Sequence, residues 1–138
     1  MAMEQKPAKI TGGCLCQSVR YEADHQPTDV GYCHCRMCQR ALGNTFGTWA
    51  AFNVDGYSQV GKEPRWHRSS DIAKRCFCEE CGSPIAYLPD GSETIYVWLG
   101  TLDDAYAFEP QQHLHVESRI PWADQHSELP VGDTTYEV

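Results

Sequence analysis

Eight of the 138 residues are cysteine, and none of them stands alone. They fall as Cys14-Leu15-Cys16, as Cys33-His34-Cys35-Arg36-Met37-Cys38 and as Cys76-Phe77-Cys78-Glu79-Glu80-Cys81. Disulfide frameworks seldom bunch thiols this tightly, and a reducing cytosol disfavours disulfides while it favours metal thiolates. The N-terminal Met-Ala-Met-Glu-Gln-Lys has neither an apolar stretch nor a cleavage site. No apolar run approaches the roughly 20 residues that cross a bilayer. The expectation is a cytoplasmic protein with no membrane partner, whose cysteines hold metal.

A chain of this length has room for one hydrophobic core, so residues 11–138 are expected to form a single domain behind a flexible polar tail, 1–10. Its 11 Lys and Arg against 19 Asp and Glu leave a net charge of −8 without any basic block, which excludes a phosphate-tracking nucleic-acid surface. Gly12-Gly13 reads as a turn, followed by a strand over Cys14–Glu22 that places Leu15, Val19 and Tyr21 on one face and both thiols on the other. The run from Gly31 turns sharply and continues as a short helix to Leu42. Strands are expected at Thr45–Phe52, Tyr57–Val60, Ile72–Cys78, Ile85–Leu88 and Thr94–Leu99, separated by Gly and Pro turns. The reading is a mainly β fold of antiparallel sheets with short helical turns. An extended C-terminal tail follows from Phe108, packing through Ile120, Trp122 and Leu129.

Cys78-Glu79-Glu80-Cys81-Gly82 has the form of a zinc knuckle, in which two thiolates grip one ion and the glycine permits the turn beneath it. Cys14 and Cys16 supply the other half of a closed tetrahedron, from more than sixty residues away, so this site is structural. The middle cluster differs, because Cys33, Cys35 and Cys38 have no evident fourth partner. Three protein ligands leave a coordination position open, as catalytic zinc does. Three thiolates make the ion a poor activator of water and a good holder of a soft thiolate, which points to a thiol substrate. The alternative is that Cys76 completes this second site, giving two closed four-cysteine zincs and a non-catalytic interaction module. Cys76 and Cys78, two apart on one strand, would both face the first zinc, which leaves Cys76 as a packed small hydrophobe.

Gly12-Gly13-Cys14-Leu15-Cys16-Gln17-Ser18-Val19-Arg20-Tyr21, Cys33-His34-Cys35-Arg36-Met37-Cys38-Gln39 and Phe77-Cys78-Glu79-Glu80-Cys81-Gly82-Ser83-Pro84 resemble the motifs of the glutathione-dependent formaldehyde-activating enzyme (GFA) family, which includes centromere protein V. Ile120-Pro121-Trp122 and Leu129-Pro130 resemble its closing segment. The resemblance implies zinc-stapled β-sheets of the β-tent type and two zinc ions per chain. Cys14, Cys16, Cys78 and Cys81 would hold the structural ion, and Cys33, Cys35 and Cys38 the catalytic one. It further implies a carbon–sulfur lyase, with glutathione and formaldehyde condensing to S-hydroxymethylglutathione as the named activity. A small thiol or thiol adduct, glutathione among the candidates, is therefore the expected partner. Arg36, Arg40, Arg65, Arg68, Lys74, Arg75 and Arg119 are available to pair with its carboxylates. His34 lies inside the three-cysteine loop, where adjacent side chains usually point away from the ion. His113 and His115 lack a third ligand, and Trp49, Trp66, Trp98 and Trp122 read as packing.

Overall fold

The computed structural model describes residues 9–125 and 127–132. Gly12 and Gly13 lie within a strand, not a turn: β1 (Ile10–Gly13) pairs antiparallel with β2 (Arg20–Ala23), Gly13 opposite Arg20. Between them the chain reverses through a turn in which Gln17 N–H donates to the Cys14 carbonyl at 3.1 Å and Gln17 adopts a left-handed φ of 68°. The one strand expected over Cys14–Glu22 is thus a turn followed by β2. Leu15, expected beside Val19 and Tyr21, is instead exposed, because the turn takes it out of the strand alternation.

The chain continues through β3 (Asp29–Cys33), helix α1 (Arg36–Leu42), β4 (Gly47–Asn53), β5 (Tyr57–Gln59), β6 (Arg65–Arg68), β7 (Ala73–Phe77), β8 (Pro84–Pro89), β9 (Thr94–Trp98) and β10 (His113–Leu114). A small sheet has the order β1-β2-β5, and a seven-stranded sheet the order β10-β3-β4-β9-β8-β7-β6. Every pairing is antiparallel except β10 with β3, which is parallel. Among the described residues no helix is long and apolar enough to cross a membrane.

Alternation along the strands gives the large sheet two faces with different uses. Val30, Ala50, Phe52, Cys76, Ala86, Ile95 and Val97 point one way and pack with Ile10, Val19, Tyr21 and Ala23 into the main core. Tyr21, wholly buried, stacks on Tyr57 at 5.3 Å and its hydroxyl hydrogen-bonds Thr101 at 2.6 Å. Truncating a buried side chain such as Phe52 to alanine would cost about 3–5 kcal/mol. The opposite face carries Trp49, Ala51 and Trp98, which cluster with Cys33 and Cys38, while Tyr87 and Tyr96 pack at the margin.

The end of the chain departs from its expected packing. Trp122 and Leu129 are exposed and Ile120 is half-buried. Other residues hold this region: Phe108 packs on the main core and Leu114 on the Trp49–Trp98 cluster, β10 pairs with β3, and the buried Gln39 amide donates to the carbonyls of His34 at 2.8 Å and Ser118 at 3.2 Å. Ile10, placed in the expected N-terminal tail 1–10, is a buried residue of β1, and residues 1–8 of that tail lie outside the described residues.

Candidate functional site

Cys14 and Cys16 sit in the turn after β1, and Cys78 and Cys81 in the turn after β7. Cys78 N–H donates to the Ser83 carbonyl at 3.0 Å, and Gly82 N–H to the Cys78 carbonyl at 2.7 Å. Gly82 has a φ of 80°, which side-chain-bearing residues rarely adopt. This turn brings the four sulfurs together: Cys14 to Cys16 is 3.5 Å, Cys16 to Cys78 is 3.8 Å, and all four lie within 4.8 Å of one another. Four sulfurs at about 2.3 Å from one tetrahedral ion stand about 3.8 Å apart, so the spacing suits a single metal ion. Polar neighbours orient the sulfurs, with Val19 N–H donating to Cys14 Sγ at 3.3 Å and the Ser18 hydroxyl 3.0 Å from Cys16 Sγ. Hydrogen bonds from the Ser83 hydroxyl and backbone bring the Cys81 thiol down to a pKa of about 5.

The middle cluster is built by one strand end and one helix start. Cys33 closes β3, Cys35 is the N-cap of α1 and accepts from Cys38 N–H at 3.3 Å, and Cys38 lies in the first turn of that helix. The Cys33 and Cys35 sulfurs are 3.4 Å apart, and all three cysteines offer sulfur within 4.8 Å. A hydrogen bond from Cys33 brings the Cys38 thiol down to a pKa of about 5 against the effect of burial, with Arg75 and Cys35 adding to it. The same contact with Cys38, together with burial, pushes the Cys33 thiol far up. The cluster thus favours one thiolate, on Cys38, which lies 3.7 Å from Arg75 Nη2.

All three sulfur residues open onto a cavity of about 670 Å³. Its floor is the second face of the large sheet, where the register Arg75–Tyr87–Tyr96 across β7, β8 and β9 sets a row of side chains beside Trp49 and Trp98. Cys76 is one residue from Arg75 and therefore on the other face, buried in the main core and outside both sulfur clusters. It shares the main core with Cys78, although Cys78 lies past the end of β7, beyond a register shift at Cys76/Phe77, and not on one strand with it as expected; the Cys76 thiol is pushed up to about 12 by burial.

His34 does not line this cavity. It is fully buried and its Nε2 meets His113 Nδ1 at 2.9 Å, while burial, His113 and Arg119 push its pKa down. Asp124 lies within 4.8 Å of the pair, held by Arg119 at 2.5 Å. His115 parts from His113, since it takes a left-handed φ of 57° and turns to Glu117 and the cavity. Of the candidate carboxylate-binding cations, Arg75 and Arg36 line the cavity, whereas Arg68 pairs with Asp90 and Arg119 with Asp124. Trp49 and Trp98, read as packing, are buried and also wall the cavity. No local signal distinguished them, because their shared face depends on pairing between β4 and β9.

The model of the glutathione-dependent formaldehyde-activating enzyme family matches residues 9–118, from β1 through the last described 3-10 turn. The chain belongs to that family. An uncharacterized lyase of Schizosaccharomyces pombe (strain 972) is 27% identical to this GFA-family chain over 94 residues. That match covers 64% of the chain and 66% of the yeast protein, a little under two thirds of its length. A crystal structure of a Rhodobacter sphaeroides protein resembles it in fold with a TM-score of 0.58 at 20% identity, covering 75% of this chain and 98% of that one.

Proposed function

We propose that this GFA-family protein is a zinc-dependent carbon–sulfur lyase acting on a thiol or thiol–aldehyde adduct, of the kind that joins glutathione and formaldehyde. Cys14, Cys16, Cys78 and Cys81 would hold a structural ion and Cys33, Cys35 and Cys38 a catalytic one. The observation that carries this reading is the opening of the three-cysteine cluster onto the cavity, with the nearest spare thiol, Cys76, on the far side of the sheet. The family and the lyase among its relatives support the reaction class.

Bound zinc would supply an open position that lowers the pKa of an incoming thiol and keeps it nucleophilic at neutral pH. The chain does the rest. Cys38 already favours the thiolate form, and Arg75 beside it offsets part of the negative charge that three thiolates collect. Trp49, Tyr87, Tyr96 and Trp98 wall the same face with apolar surface, which would confine the two reactants close to the cluster. Addition of a thiolate to an aldehyde carbon forms one C–S bond, and the resulting alkoxide takes a proton. The reverse breaks that bond and releases both partners, so one site serves both directions.

The test is exchange NMR of the metal-loaded protein with ¹³C-formaldehyde and a panel of small thiols. Accelerated interconversion of free formaldehyde and its hydroxymethyl thioether is expected for at least one thiol, and is expected to vanish in Cys38→Ser. If no thiol in the panel exchanges faster than without protein, the lyase reading is wrong.

A further inference from the structure

The cavity that the three cysteines share is not a neutral container, and its walls constrain what can enter. Resting on the carbon–sulfur reading above, we propose that it selects a thiol or thiol adduct with an aromatic or apolar carbon skeleton and an oxygen next to the sulfur that Arg75 receives. A highly charged tripeptide such as glutathione is disfavoured.

The first observation is the aromatic floor. Trp49 and Tyr96 meet edge to face, with centroids 5.3 Å apart and planes at 87°, and Tyr87 tilts against Tyr96 at 6.1 Å. Aromatic side chains bury large apolar area and pair edge to face or offset with a further ring, so a flat apolar ligand suits such a surface. At the rim, Ile72 and Met37 line the cavity and are themselves exposed, 68% and 45%. Large apolar side chains left in water around a concave site mark where an apolar partner sits.

The second observation is the state of Arg75. Its guanidinium lies over Tyr87 at 4.7 Å and Trp98 at 5.7 Å, and Nη2 donates to Cys38 Sγ. Nε and Nη1 are buried and find no acceptor in the protein. A buried guanidinium nitrogen without an acceptor forfeits the hydration it had in water, so an oxygen arriving with the ligand restores it. Because Arg75 touches Cys38, an oxygen it receives lies close to sulfur held at the cluster. A carboxylate or hydroxyl one or two carbons from the thiol meets this condition.

Glutathione brings two carboxylates and an ammonium. Of the two guanidiniums on its wall only Arg75 has buried donors without an acceptor, whereas Arg36 is exposed, hydrated, and commits one nitrogen to Gln39 Oε1 at 2.5 Å. Asp71 at the rim repels a second carboxylate. Setting charged groups against the aromatic floor would strip their water without replacing it.

The experiment titrates the metal-loaded protein with 2-mercapto-3-phenylpropanoate, 2-phenylethanethiol and glutathione, following quenching of tryptophan fluorescence from Trp49 and Trp98. The aromatic mercaptocarboxylate is expected to bind at least about tenfold tighter than glutathione, and Arg75→Gln to weaken it by about tenfold more than it weakens 2-phenylethanethiol. Glutathione binding as tightly as the aromatic thiols overturns the proposal, and so does a folded Arg75→Gln that weakens both aromatic probes equally. Should Arg75→Gln fail to fold, the wild-type ranking alone decides. The lyase reading fails separately, when aromatic thiols bind in this order and no thiol exchanges with formaldehyde.

Discussion

The sulfurs of Cys16 and Cys78 lie 3.8 Å apart although 62 residues separate them in the chain. That contact joins the turn after β1 to the turn after β7, and so ties the small sheet to the large one. Metal held there would contribute directly to folding, because the unfolded chain has no preformed site. Cys81→Ser is therefore expected to lose one metal equivalent and to lower the melting temperature by about 10 °C or more. Metal analysis beside a thermal melt checks this. An unchanged melting temperature in metal-depleted Cys81→Ser would show the staple to be dispensable.

Cys76 makes the opposite prediction. It is buried on the core face of β7 outside both sulfur clusters, and its thiol is pushed up to about 12 by burial, so it is expected to act neither as a ligand nor as a nucleophile at neutral pH. Cys76→Ala should keep the wild-type metal content, cost about 1–2 kcal/mol of stability, and leave thiol binding unchanged. Loss of a metal equivalent in this variant would make Cys76 a ligand and close the second site.

Gly31 has no room for a side chain. A Cβ there would stand 2.6 Å from Trp49 Cζ2 and 3.0 Å from Gln112 Cγ. Gly31→Ala should displace the indole that walls the cavity, cost about 1–3 kcal/mol, and shift tryptophan emission. Identical emission and stability would mean that Trp49 is loosely held, contrary to its burial.

Arg20 donates to Asp103 and holds its carboxyl below the usual range, against partial burial and with help from Thr11. A folded pKa below the unfolded value of about 3.9 gives stability that is present above that value and lost as pH falls through the folded one. Asp103 is 44% exposed, so screening keeps the contribution to about 1 kcal/mol or less. Asp103→Asn should be less stable than wild type at pH 7 in urea unfolding, and the gap should narrow as the pH falls below the unfolded value of about 3.9. A gap independent of pH would assign the effect to Thr11 or to packing instead of charge.

The sequence displayed the metal clusters more plainly than the surface around them. Cys78-Glu79-Glu80-Cys81-Gly82 carries its own geometry, since the glycine that permits the turn stands beside the thiols that use it. Strands β4, β8 and β9 announce themselves by β-branched and aromatic alternation. In contrast, β3 is broken by Gly31, β6 is exposed along its whole length, and β10 has two residues, so none carries a periodic signal. Arg75 looks no different from Lys74 or Arg68 in the chain. Only the register of three strands sets it over Tyr87 and beside Cys38, and register is a non-local property.

The sharpest separation of chemistry from stability is available at Cys35. Its sulfur has two uses: it belongs to the three-cysteine cluster, and it caps α1 by accepting from Cys38 N–H. Serine is among the favoured N-cap residues, so a hydroxyl replaces the sulfur in the capping role while making a far poorer soft-metal ligand. Cys35→Ser is thus expected to stay folded, melting within a few degrees of wild type, about 1 kcal/mol or less. It should keep the metal of the four-cysteine cluster, lose that of the three-cysteine cluster, and no longer show saturable quenching by small thiols. Metal quantification, a thermal melt and the fluorescence titration read these three outcomes independently. A variant that keeps its full metal content and binds thiols as before would mean that Cys35 serves the helix alone, leaving Cys33 and Cys38 too few to hold an ion open to substrate.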